Sequence, residues 1–362
     1  MEQLQTLVGK LELRNAMKRD FVAPTQKLFW DAENTLTLHN NDGNPVFINP
    51  NELFESQIAA KLGIPYDYFK KVKNTIPETL CYNVNGWLKH FAKSKYLIRG
   101  LEVSDSNELI GRAFLSNSYN CIDDYDVLFA ALEAIKNTGV NVQITRAEVS
   151  ENRLYLHVIC PEIEVNGESF LREYLKENNA AGNGIISGFT ISNSEVGKGA
   201  FEIRPRAVIC KCNNGLVVKD DKFRRVHLGS KLDAGEILWS EKTKSKNREL
   251  IISQVEDAVQ TYLSPEYLGV MIEKIAHLNS INLDFPIDAV QNVCKHLSVT
   301  DEHKKNILDY FVKDGLPNAA GIYNAVTRES QNMDIDTQHD VEGAVMELIS
   351  TPKKYDKPFS KN

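Results

Sequence analysis

The residues of this 362-residue chain best suited to chemistry are basic ones crowded into one stretch. Between Lys198 and Arg248 stand thirteen lysines and arginines against six acids, so the segment is +7 in a chain whose total is −7. The remainder is therefore −14, and a basic island in an acidic protein points to a polyanion more directly than total charge does. The island opens with ISNSEVGKGAFEIRPR (191–206). Gly197 and Gly199 permit close backbone approach there, and Lys198 stands at the tip of the turn between them. Arg204 and Arg206, two residues apart, fall on one face of the strand that follows, with Phe201 and Lys211 on the other. Asn214 and Gly215 supply the next turn, and Arg224 and Arg225 straddle both faces of a later strand. A phosphate groove would draw on Lys198, Arg204, Arg206 and one of Arg224 and Arg225. Phe201, Phe223 and Trp239 are its nearest stacking candidates, and each suits a core equally well. The bland reading is a solvated strand-and-loop surface.

Catalytic patterns are missing from the sequence. The nearest approach to a phosphate-binding loop, around Gly197-Lys198-Gly199, has Ser192 where the first glycine belongs and Gly199 where a hydroxyl should reach magnesium. There is no H-E-x-x-H, no G-x-S-x-G and no dinucleotide fingerprint. Acids cluster at Asp123, Asp124 and Asp126, where they suit a helix N-terminus, and at Glu162, Glu164 and Glu168 on a strand and turn. His157 and His227 sit on expected strands and read as structural. Cys210 and Cys212 are spaced C-x-C with no second close pair, which does not build a four-ligand zinc site. The expectation is no catalytic residue, no metal and no cofactor.

Elements that must carry the basic residues can be read from periodicity. LTLHNNDGNPVFINP reads as a hairpin, and SQIAAKLGIPYDYFKKV as two helices about Gly63, with Lys70, Lys71 and Lys73 on the second. RAFLSNSY is a short strand; Asp123 or Asp124 caps a helix striped by Leu128, Leu132 and Ile135 and closed by Gly139. Further strands follow, from Val140 to about Gly229. After Lys242 the pattern is helical, with Ser264-Pro265 as a cap and helices near 286–297, 301–313 and 317–331. The fold class is α+β: an antiparallel sheet with the Asp124–Lys136 helix on one face, then an all-helical C-terminal region. The expected division is 1–79 (hairpin and helices), 80–242 (sheet core), 243–350 (helices) and 351–362 (a disordered, proline-punctuated tail).

Six scattered cysteines form no disulfide framework, no window reaches about 18 apolar residues, and the N-terminus lacks a signal-peptide core. These features point to the cytoplasm and away from a membrane.

Several segments together resemble the phage/plasmid-like protein family built on domain of unknown function 932. They are LGIP (62–65), LIRGLEVSDSNELIGRAFLSNSYNCIDDYDVL (97–128), ISNSEVGKGAFEIRP (191–205), CNNGLVV (212–218), RRVHLG (224–229) and IYNAVTRESQ (322–331), in the family's order. The resemblance implies a mobile-element protein in a bacterial host cell and little biochemistry. The topology is further similar to ring-forming single-strand annealing proteins, an analogy of fold alone. The function expected is non-specific binding of single-stranded DNA by a homo-oligomer, with strand annealing in recombination as its extension. The alternative from another class is a protein-interaction factor that inhibits a host defence or recombination enzyme, its acidic surface docking on a host protein. An unrecognised enzyme is the third reading.

Overall fold

In the computed structural model the described residues are 2–39, 44–103, 108–166, 184–209, 215–217, 224–225, 235–236 and 240–359. The fold is α+β, as the periodicity implies. The chain divides into two compact units: Met1–Leu128 with Asn193–Ala200 and Val226–Arg248, and Phe129–Ser192 with Phe201–Arg225 and Glu249–Asn362.

The first unit is built on strands β1 (Lys18–Pro24), β2 (Leu28–Trp30), β3 (Leu36–His39), β4 (Pro45–Pro50), β5 (Lys95–Glu102), β6 (Glu108–Ser116) and, far along the chain, β13 (Gly235–Glu236). Their order is β13-β1-β5-β6-β4-β3-β2, antiparallel throughout except for the parallel pair β4–β6. Helix α1 (Glu2–Met17) precedes the sheet, and α2 (Glu52–Leu62), α3 (Tyr66–Thr75) and α4 (Pro77–His90) lie in the connection that a parallel pair requires. Gly63 ends α2 at φ 71°, as a left-handed C-terminal residue does. The three helices bury Phe54, Ile58, Phe69, Leu80 and Val84 against Trp30, Leu36, Ile48 and Phe114 of the sheet. Trp30–Phe69 and Phe54–Phe114 meet edge to face, each pair with ring centroids 5.5 Å apart. A smaller core of Val22, Leu97, Ala113, Leu115, Cys121 and Val196 uses the alternate residues of β1, β5 and β6, and so lies on their other face.

The second unit holds a six-stranded sheet, in which β7 (Gln143–Val149), β8 (Leu154–Asn166), β9 (Gly184–Asn193), β10 (Phe201–Ile209) and β11 (Gly215–Val217) are neighbours in reverse order and β12 (Arg224–Arg225) pairs with β10. Helix α5 (Asp124–Thr138) runs into it and ends on Gly139 at φ 68°. Helices α6 (Glu241–Tyr262), α7 (Pro265–Ser280), α8 (Pro286–His296), α9 (Asp301–Asp314), α10 (Ala319–Ser330) and α11 (Ile335–Ile349) follow. Ser264, Thr300, Asn318 and Asp334 each accept backbone N–H as N-caps, and all but the last of these helices are expected from the sequence.

Two expectations need correction. The single antiparallel sheet over 80–240 is two sheets, because β5 and β6 pair with β1 and β4 rather than with β7 onward, and one pairing is parallel. The division at 79/80 fails for the same reason. The tail is ordered through 359: Tyr355 is fully buried, its hydroxyl donates to the Ile349 carbonyl, and Asn292 donates to the carbonyls of Tyr355 and Lys357. Asp356 accepts the backbone N–H groups of Asp284 and Phe285, which precede α8.

Candidate nucleic-acid interface

The residues singled out from the basic island do not form one groove. Arg204 and Arg206 share a strand face, yet both faces of β10 are covered, and the two side chains are only 8% and 6% exposed. Arg204 pairs with Glu202 through Nε (2.7 Å) and donates to the carbonyl of His339 on α11 (3.2 Å). Gly343, one turn on, makes room for it, since a Cβ there would lie 2.5 Å from Arg204 Nη1. Arg206 donates to Nδ1 of His157 (3.2 Å) and stands 3.6 Å from the carboxylate of Glu342. Burial, with Arg206 beside it, holds His157 neutral, well below the ordinary histidine range. The expectation that these arginines face phosphate is therefore corrected: they neutralise buried acids. Arg224 and Arg225 pair along the backbone with Glu202 and Phe201. Gly215 opens β11, whereas Asn214, with Cys210, Cys212, Phe223, His227 and Trp239, lies outside the described residues.

Lys198 is exposed, as expected, and its backbone N–H donates to Ser194 Oγ (2.9 Å). Gly197 beside it has φ 82° and a Cβ would stand 2.6 Å from Leu115, so this turn needs glycine for both conformation and space. The turn packs on the smaller core of the first unit through Val196, whose carbonyl accepts from Gln57 (2.8 Å).

The same turn carries Glu195 into a buried network that joins β1, β5, β6 and the N-terminus of α5. Arg99 on β5 donates to Asp20 on β1 (3.0 Å), to Asp123 (2.6 Å) and to the Glu195 carbonyl (2.7 Å). Arg112 and Lys18 pair with Glu195 and Asp123 respectively. Glu195 also accepts the backbone N–H of Asp124 (3.1 Å), and Asn193 donates to the Asp124 carboxyl (2.8 Å). Glu195, 71 residues away, thus supplies an acceptor to the first amide of the helix N-terminus expected at Asp123 or Asp124. Arg112 has this reach because the β5–β6 register shifts between Arg99 and Gly100, leaving Arg112 without an opposite number and turning it toward the network. Burial pushes the Asp124 carboxyl well above its ordinary range, aided by neighbouring Glu195. Burial opposes ionisation of Asp123 too, but Arg99 and Lys18 overcome it and hold that carboxyl low. Every one of these bonds ties strand, helix and turn together, which makes the network an element of architecture.

Exposed cations and rings meet instead on α3 and α4. From Lys61 to Lys95 the chain has seven lysines against two acids, Asp67 and Glu78. Lys70 and Lys73 reach back to Glu52 and Glu55 of α2, and these pairs line a cleft of about 250 Å³ with Tyr66 and Asn74. Lys71, Lys89 and Lys93 are exposed and make no ion pair among the described residues. Leu80, Val84 and Leu88 bury one stripe of α4, so helical spacing places Tyr82, Gly86 and Lys89 on the opposite stripe with His90 beside them. Tyr82 is 81% exposed. Trp87, 42% exposed, lies on the flank toward α3, stacked on Phe91 at 5.9 Å and edge-on to His90 at 5.5 Å. Tyr68 of α3, 44% exposed, accepts through its hydroxyl from Asn83 Nδ2 (3.0 Å), one turn before Trp87. Three exposed rings thus share α3 and α4 with Lys71 and Lys89, and Lys93 follows just past the end of α4. The sequence carries this signal in its local charge balance and in the outward stripe of helix 77–90, although the basic island from 198 to 248 holds more cations.

No family model, curated protein or solved structure matches this chain. Among the described residues no group of His, Cys, Asp and Glu could hold a metal ion, and no helix is long and apolar enough to cross a membrane.

Proposed function

We propose that this chain binds single-stranded DNA without sequence preference, as a homo-oligomer, through the α3–α4 face rather than through Arg204 and Arg206. The observation that carries the reading is the proximity along α3 and α4 of exposed rings (Tyr68, Tyr82, Trp87) to Lys71, Lys89 and Lys93, which are exposed and make no ion pair among the described residues. Every base has a π-face, so stacking tolerates any sequence, while lysines follow the phosphates. Bases paired within a duplex are not free to stack on protruding rings, which favours the single strand. Annealing would follow if neighbouring subunits presented strands side by side. No catalytic role is proposed.

Three phosphate contacts imply a log–log salt slope of about −2 for a single strand, so affinity for a dT oligomer should fall roughly twenty-fold between 50 and 200 mM salt. Tyr82→Ala and Trp87→Ala should each weaken binding about tenfold. Wild-type protein that fails to shift a dT oligomer at 50 mM salt sinks the reading.

Few cations per subunit make a weak site, and repetition around an oligomer raises avidity. Light scattering at micromolar concentration should report an assembly larger than a dimer; a monomer would remove the annealing extension.

A second reading, contact with a host protein, draws on another surface. Phe29, Phe47 and Ile110 are exposed on the first sheet, with Phe29 and Phe47 both opposite Thr37. Apolar groups so grouped suit a protein contact, whether with a host factor or another subunit.

A further inference from the structure

The outward stripe of α4 contains a residue that its own fold does not explain. Gly86 lies mid-helix, is exposed, and a Cβ built there meets no atom within 4 Å. No positive φ is recorded for it, so neither conformation nor internal packing asks for glycine. Alanine would favour the helix, because glycine leaves more backbone freedom to lose on folding. Gly9 and Gly269 are similarly open, but Gly86 is the one of the three with exposed rings around it. Tyr82 stands four residues before it, His90 four after and Trp87 adjacent, with Lys89 three residues on. Four residues is about 6 Å along the axis, so the missing side chain leaves a notch between the rings of Tyr82 and His90.

We propose that Gly86 is the point at which a single-stranded nucleic acid crosses α4, its sugar–phosphate backbone in van der Waals contact with the helix backbone and its bases received by Tyr82 and Trp87. This rests on the single-strand reading above and adds to it the path of the strand. A polyanion is the occupant that the charge selects, since Lys89 lies three residues from Gly86 on the same helix, Lys71 and Lys93 are exposed on α3 and just past the end of α4, and Glu78 is the only acid within α4. A bare helix backbone between stacking platforms fits an extended chain that must approach closely where it bends over the helix.

The test is a graded series at Gly86 in the full chain, read by titration with a dT oligomer at 50 mM salt and by thermal melting. Gly86→Ala should melt no lower than wild type yet bind about tenfold more weakly, and Gly86→Leu more weakly still. Emission from Trp87 should be quenched by the oligomer in wild type and less so in either variant at equal concentration. If both variants bind like wild type while Tyr82→Ala and Trp87→Ala still weaken binding, the notch is not the crossing point and the single-strand reading stands. If wild type does not bind the oligomer at all, the reading fails and this inference with it.

Discussion

Arg99→Gln is expected to destabilise the protein by about 3–5 kcal/mol, the range typical of breaking a buried ion pair by removing one partner. Arg99 is 2% exposed and donates to two carboxylates and one carbonyl on three separate segments. Glutamine keeps some hydrogen-bonding capacity but no charge, so Asp20 and Asp123 would be left buried with Lys18 as their nearest compensation. Asp123 should then hold its proton to higher pH than in wild type, since Arg99 is the strongest of the influences that hold it down. Chemical denaturation followed by far-ultraviolet circular dichroism measures the cost; a change below about 1 kcal/mol would mean that the network does not support the fold. Melting should be lowered whether or not DNA is present, because no member of this network lies on α3 or α4.

Replacing Arg204 and Arg206 together with Gln is expected to cost a comparable amount, again about 3–5 kcal/mol, and to leave the salt dependence of DNA binding unchanged. Glu202 would lose its pair with Arg204, and Glu342 would keep Gln338 and Ser330, at 2.7 and 3.0 Å. His157 provides an independent signal. Burial and then Arg206 depress its pKa, so without Arg206 its ring should titrate closer to the usual histidine range, visible in its imidazole proton shifts. If the double variant melts like wild type and flattens the salt slope by about 1.4, two phosphate contacts have been lost and the arginines belong to the binding site after all.

The sequence alone determined what depends on neighbours along the chain. The helix start at Ser264, the helices beginning near 301 and 317, the helix closed by Gly139, the two-helix element about Gly63 and the helical C-terminal region were legible, because capping and 3.6-residue periodicity act over a few residues. The common face of Arg204 and Arg206 was legible from parity. Whether that face met water was not. Burial of β10 on both faces depends on α11, more than 130 residues later, whose His339 carbonyl and Glu342 carboxylate receive the two arginines. Charge density in one dimension therefore mistook internal compensation for a polyanion site. Only the tertiary structure decided that β5 pairs with β1 and β6 with β4, since a strand's own pattern fixes its buried face but not its partner. The same holds for Arg112, aimed into the first unit's network by a single-residue register shift, and for Glu195, brought across 71 residues to the amide of Asp124. The exposed rings and lysines of α3 and α4 fall between these cases. Their residue types and helical spacing are local and were readable, but that Tyr68 would stand beside Asn83 required the two helices to pack, and packing is a property of the folded chain.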